Sequence, residues 1–261
     1  MFSCGGGFDM LDLQKASVLK RISAYILDFI ILVICITGVA FFLSSVFGFS
    51  KYSDIVDNRK NQIALEHNVN FDIELEEYNA LSNEEKAAFD IAKEAFETDE
   101  EALKAWNVLI NLALLIISFS VLLGYVLTEF IVPLIFKNGQ TIGKKVFSLG
   151  VMRSHHVKIT PAQLFIRSIL GKCTMETMFP LYLIIMIFIG SLGIVGLGVL
   201  LLFALLQLGL IIFTKNNCFV HDILSDTVVV DLTSQMIFET EEELLEYQKK
   251  IHAENVLKSP Y

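Results

Sequence analysis

The sequence predicts an all-α membrane protein with four transmembrane helices, an interfacial amphipathic helix, a small cytoplasmic β-sheet and a helical extracytoplasmic insertion. Three observations lead there. The 261 residues are 54% apolar and only 19% charged, against about 45–50% and about 25% in soluble domains. The apolar residues gather in runs long enough to cross a bilayer core of about 30 Å. The formal charge of −9 falls wholly within residues 51–105, which carry six Lys/Arg and fifteen Asp/Glu. With no basic stripe, nucleic-acid binding is excluded as a function class, and a mean hydropathy of +0.60 excludes global disorder.

Residues 1–21 are polar and lead into a first span at 22–49, where Asp28 is the only charged side chain. No small-residue cleavage site follows, so this span reads as an uncleaved signal anchor. Residues 50–105 form the acidic insertion. Within it Ser82-Asn83-Glu84-Glu85 has capping-box form, followed by Phe89, Ala92 and Phe96 at helical spacing. A second box, Thr98-Asp99-Glu100-Glu101, leads to the second span at 106–136, whose last part holds Glu129 and Pro133. The carboxylates of the insertion lack EF-hand spacing and read as a solvated surface.

Residues 137–160 read as a cytoplasmic loop with a β-hairpin, Lys145–Met152 pairing with Val157–Thr160 across a turn at Arg153–His156. Thr160-Pro161-Ala162-Gln163 then opens a helix, with a threonine cap and proline at the first helical position. Over 161–173 this helix is amphipathic, with Ile166, Ile169, Leu170 and Cys173 on one face and Gln163, Arg167 and Thr174 on another. Lys172 and Glu176 have the spacing of an i,i+4 pair. The apolar run 179–213 would make a helix of about 52 Å, too long for one crossing. Glycines at 190, 193, 196 and 198 divide it into a hairpin, so residues 174–213 are expected to supply spans three and four. Residues 214–261 hold a strand at Asp226–Asp231 and an acidic tail that includes Thr240-Glu241-Glu242-Glu243.

Lys15, Lys20 and Arg21 precede the first span, Lys137, Lys144, Lys145, Arg153 and Lys158 follow the second, and Lys215 follows the last. The positive-inside rule then places both termini in the cytoplasm of a cell-membrane protein and the insertion outside. Cys4, Cys35, Cys173 and Cys218 show no CxxC spacing, and His155-His156 lacks a third ligand nearby, so neither a disulfide framework nor a metal site is expected. The loop Gly139-Gln140-Thr141-Ile142-Gly143-Lys144 lacks the spacing of a phosphate-binding P-loop. It reads as a tight turn that carries Lys144 and Lys145 to anionic head groups. No cofactor is expected.

Four pieces occur in one order: Arg21-Ile22-Ser23-Ala24-Tyr25-Ile26-Leu27-Asp28; Asn138-Gly139-Gln140-Thr141-Ile142-Gly143-Lys144-Lys145; Arg167 in its helix; and His221-Asp222-Ile223-Leu224-Ser225-Asp226-Thr227-Val228-Val229-Val230. Together, over residues 15–50 and 105–232, they resemble the RDD family of multi-pass membrane proteins, named for one arginine and two aspartates. The resemblance implies that Arg21 is that arginine, and Asp28 and Asp222 the aspartates. Asp226 stands where the family usually has a small residue, often glycine, and the acidic insertion is longer than usual.

Arg21 and Asp28 lie seven residues apart, about 10 Å along a helix, and so look to partners elsewhere. A charge at the centre of a membrane helix costs at least about 2.5–3.5 kcal/mol unless paired or hydrated. Lys144, Arg167 and Lys172 are the candidate partners for Asp28, and Asp222 is the candidate for Arg21. Glu129, about 12 Å inside its helix end, reaches a depth similar to that of Asp28. Two carboxylates in one layer suit binding of a monovalent cation or exchange of a proton, or they pin helix ends together. Gly139, Thr141, Gly143 and Thr227 are supporting positions. Two functions follow: ion transport, which some RDD-like proteins carry out as sodium–proton exchange, or a non-enzymatic adaptor or assembly subunit that binds other proteins. Four spans are few for a transporter, so a homo-oligomer or a membrane-complex partner is expected, with the lipid bilayer as surroundings. An enzyme is not expected, because no nucleophile–base pair stands at usable spacing.

Overall fold

The computed structural model describes residues 16–214 and 218–258. Cys4, Lys15 and Lys215, which entered the sequence reading, lie outside the described residues. In chain order the helices are α1 (Val18–Val46), α2 (Phe49–Glu66), α3 (Leu75–Ala80), α4 (Asn83–Thr98), α5 (Glu100–Ile135) and α6 (Ile142–Val146). Strand β1 (Leu149–Arg153) follows, then α7 (Pro161–Phe188), α8 (Gly193–Phe213), α9 (Val220–Leu224), β2 (Thr227–Asp231) and α10 (Glu241–Lys258). Of these, α1, α5, α7 and α8 are long and apolar enough to cross a membrane. Their apolar side chains remain exposed in the isolated chain, as at Leu202, 67% exposed, a pattern that fits a lipid surround. The apolar run 179–213 is indeed two helices, α7 ending at Phe188 and α8 starting at Gly193.

The chain forms two compact units. One is Thr37–Ser120, which contains the acidic insertion. Its core gathers Val56, Ala105 and Leu109 with Phe49, Tyr52, Ile55 and Phe96. Ser82 caps α4 by accepting the Glu85 amide while Glu85 returns the bond, and Ala92 is fully buried. The second capping box is displaced by one residue from expectation. Asp99, not Thr98, accepts the Ala102 amide at 2.8 Å, because α4 runs through Thr98 and its hydroxyl bonds back to the Glu94 carbonyl. Asp99 also pairs with Arg59, which holds its carboxyl down at about 2.

The other unit joins the residues up to Ile36 with those from Val121 onward. Leu32 and Ile36 of α1, Val121 and Tyr125 of α5, and Ile169 and Cys173 of α7 pack into one apolar core. Strands β1 and β2 pair antiparallel, from Leu149 opposite Asp231 to Arg153 opposite Thr227. A two-stranded ribbon is marginal by itself; here its own Met152, Val228 and Val230 are buried, with Cys218, Leu232 and Ile237 packed against them. The structure differs from the expected hairpin in two ways. Thr141 caps α6, which absorbs Lys145 and Val146 into a helix, so β1 begins only at Leu149. Val157–Thr160 meets β1 at one isolated bridge, Met152 to Lys158, since Thr160 is already committed to capping α7. Lys20 at the start of α1 reaches Asp231 of β2 at 2.6 Å.

Two of the long helices contain π segments, Val126–Ile131 in α5 and Ile166–Met178 in α7. In the first, the Val132 amide reaches back five residues to the Leu127 carbonyl, just ahead of Pro133, which has no amide to give. In the second, the amphipathic stretch and the third apolar stretch form one unbroken helix. Its Arg167, 3% exposed, lies on the buried side together with Ser168, Ile169, Gly171 and Cys173. Of the residues read as its polar face, Arg167 is buried against a partner, Gln163 is partly buried and Thr174 is exposed.

Candidate functional site

The site begins at Asp28, in the second turn beyond Arg21 on α1. Its Oδ1 accepts the Gly143 amide at 2.7 Å, and its Oδ2 accepts the Thr141 hydroxyl at 2.5 Å. Lys144 Nζ lies 3.7 Å from the same Oδ2, with both side chains about one-tenth exposed. The loop is built for this contact. Thr141 accepts the Lys144 amide at 3.3 Å, starting α6, and the Lys144 ammonium at 3.0 Å, while donating its own proton to Asp28. A side chain at Gly143 would run into the Ala24 carbonyl oxygen and the Asp28 carboxylate. Gly139, at φ +59, turns the chain into the loop beside Val151 and Ile159. Of the three cations considered for Asp28, Lys144 takes the place. Lys144 is therefore not at a head group. Lys145 stands over the Phe136 ring at 3.8 Å. Burial pushes the Lys144 ammonium down to about 8; Lys172 and Arg167 act in the same direction, and Glu129 and Asp28 against it.

Glu129, on the π turn of α5, bonds Lys172 of α7 at 2.6 Å. Lys172 therefore pairs between helices, and the expected pair with Glu176 is not made, since the Glu176 carboxylate is taken by His221 at 2.8 Å. Lys144 and Arg167 also act electrostatically on Glu129. Lys144 thus senses both Asp28 and Glu129, which joins them in one electrostatic layer.

Arg167 Nη1 pairs with Asp222 and donates to the Thr227 hydroxyl at 2.5 Å. Thr227 in turn shares a proton with Ser225 at 2.8 Å. Asp222 Oδ2 accepts the Phe219 amide at 3.0 Å. Burial alone would raise the Asp222 carboxyl, but the Arg167 charge overrides it and holds the group well below the usual carboxylate range. The partner of Asp222 is therefore Arg167 and not the expected Arg21, because α9 packs on the π segment of α7. Arg21 sits half-buried in the first turn of α1 and acts electrostatically on Cys218. Asp226 takes the left-handed backbone, φ 49, which explains why a glycine suits the position. Its carboxylate accepts the Ser154 hydroxyl at 2.6 Å.

Sequence reasoning missed the roles of Lys172, Glu176 and His221. Their only signal was local: Lys172 and Glu176 are the two charged side chains that follow Arg167 on its helix, and His221 adjoins Asp222. Among the described residues no group of three His, Cys, Asp or Glu side chains is placed to hold a metal ion.

Four helices long and apolar enough to cross a membrane fit a multi-pass membrane protein. A family model described as "RDD family" matches residues 15–226, and the chain belongs to the RDD family. The match contains Arg21, Asp28, Arg167 and Asp222 and stops just before β2. No curated protein and no solved structure matches the chain significantly.

Proposed function

We propose that the protein exchanges a monovalent cation for a proton across the cell membrane, without bond-making chemistry, as a homo-oligomer or as a subunit of a membrane complex. The observation that supports this reading is the Asp28–Lys144 contact: an ammonium 3.7 Å from a carboxylate that already has two fixed donors. The ammonium occupies the place a monovalent cation would take. When Lys144 releases its proton, Asp28 keeps its charge, and a cation entering beside it restores neutrality; reprotonation of Lys144 expels the cation. With burial bringing Lys144 down to about 8, the release falls within reach of physiological pH. Four spans enclose little polar volume, so several chains together would supply the pathway. The basic flanks support an orientation with both termini in the cytoplasm. Asp28→Asn tests the reading: it keeps the shape and removes the charge, so cation-dependent proton movement in liposomes is lost while the protein still elutes as a folded species. Unchanged exchange in Asp28→Asn would refute it.

A second reading has its own observation. Glu129 and Asp222 are each closed by a direct ion pair, an arrangement that suits a static clamp in an adaptor or assembly subunit. On that reading wild-type protein moves no ions, and the layer serves only stability.

A further inference from the structure

Polar groups from several elements converge on His221, which is itself buried. From α7, the Glu176 carboxylate accepts the His221 backbone amide at 3.1 Å and meets ring Nδ1 through both oxygens at 2.9 and 2.8 Å. From α9, Asp222 Oδ2 lies 3.6 Å from ring Nε2, and its other oxygen pairs with Arg167. From α8, Gln207 bonds Glu176, while its own carbonyl oxygen is buried without a partner among the described residues. Nearby in the chain, Cys218 feels both Asp222 and Arg21 of α1. The approach depends on Gly171, where a Cβ would press on His221 Cα and Cβ, and the Phe219 ring stacks on the imidazole at 5.5 Å.

A neutral imidazole has one N–H and one lone pair. With the proton on Nδ1, the Nε2 lone pair faces the Asp222 carboxylate. With the proton on Nε2, the Nδ1 lone pair faces Glu176 instead. Only the doubly protonated ring presents a donor to each carboxylate. Among the direct contacts, Asp222 already has Arg167 as its counter-charge, and an added proton on the ring gives the Glu176 carboxylate one as well. Two effects oppose that proton: burial, then the Arg167 charge, pull the imidazole below its ordinary value, while Asp222 and Glu176 pull it back. Neither state is fully satisfied, which is the condition for exchange.

We propose that His221, Glu176 and Asp222 form a binding site for one exchangeable proton, taken up at Nε2 of the imidazole already held through Nδ1 by Glu176. The site fills on acidification and empties as pH rises, and it lies one ion pair away from the layer, through Asp222 and Arg167. Its use as a second proton position for the exchange rests on the functional reading above; its existence does not.

The test is a titration of full-length protein in detergent with 15N-labelled histidine. Replacing the other four histidines, His67, His155, His156 and His252, by glutamine leaves His221 as the only imidazole. The ring-nitrogen shifts are expected to report a single protonation with a midpoint below that of a free imidazole. Glu176→Gln removes one of the two carboxylates and is expected to lower the midpoint by about one pH unit or more. Ring shifts constant from pH 4 to 8, or a midpoint unmoved by Glu176→Gln, would overturn the proposal. Should Glu176→Gln not accumulate as folded protein, the single-histidine titration decides alone. A titrating His221 in a protein that moves no cations in liposomes upholds the proton site and removes the exchange reading.

Discussion

Arg167 and Asp222 form an ion pair in which neither side chain is more than 4% exposed, and it ties α7 to the short helix α9. Removing one member of such a pair strands the other, at a cost of about 3–5 kcal/mol, whereas removing both is far milder. Asp222→Asn and Arg167→Met are therefore each expected to lower the unfolding temperature in detergent strongly, and the double variant to recover much of the loss. A double variant as unstable as the sum of the singles would show that the two side chains act independently.

The Asp28–Lys144 contact behaves differently, because an asparagine at residue 28 still accepts the Gly143 amide and only the Thr141 bond must reverse its direction. Asp28→Asn is expected to cost about 1–3 kcal/mol, and Lys144→Met added to it is expected to restore part of that loss. Arg167→Gln, which acts on another carboxylate, is expected to restore none. Thermal unfolding of the three variants in one detergent distinguishes the partners.

The insertion packs its own core around Val56, Ala105 and Leu109, and the ion-pair layer lies wholly in the other unit. Deleting residues 54–99 and bridging the ends with a flexible linker is expected to leave a monodisperse membrane protein. Loss of detergent-stable protein would mean that the insertion is required to fold the rest.

Asp231 supplies a pH signature. Its bond from Lys20, then those from Thr233, hold the carboxyl down at about 2. A depressed carboxylate adds stability that is complete above its ordinary value of about 4 and vanishes as pH falls through about 2. Because Lys20 is partly exposed, the pair is worth on the order of 1 kcal/mol after screening. The stability difference between wild type and Lys20→Met is expected to be present at pH 5 and to shrink on acidification toward pH 2. A difference that does not change with pH would assign the effect to packing of the lysine stem.

Much of the architecture was legible because it depends on local sequence. Apolar runs gave the spans, Ser82 and Thr160 announced their helices, and Val228–Val230 announced a strand. The pairing of charges was not legible, since it depends on which helices touch. Asp222 meets Arg167 because Gly171 lets α9 settle on α7, and no spacing rule connects residues that far apart. Lys172 turns from Glu176 to Glu129 for the same reason. The π segments were also silent, as they arise where tertiary contacts favour a wider turn over the regular one. Asp28 and Gly143 were each recognisable as motif residues, yet their contact, carboxylate to backbone amide, exists only in the folded chain.

The exchange reading stands or falls on one measurement: wild-type protein reconstituted into liposomes that enclose a pH-sensitive dye, with an imposed pH gradient and successive additions of lithium, sodium, potassium and rubidium salts. The expected result is a change in internal pH that depends on at least one of these cations and is absent from protein-free liposomes. No cation-dependent change with any of them, in liposomes shown to hold folded protein and to keep their gradient, would contradict it.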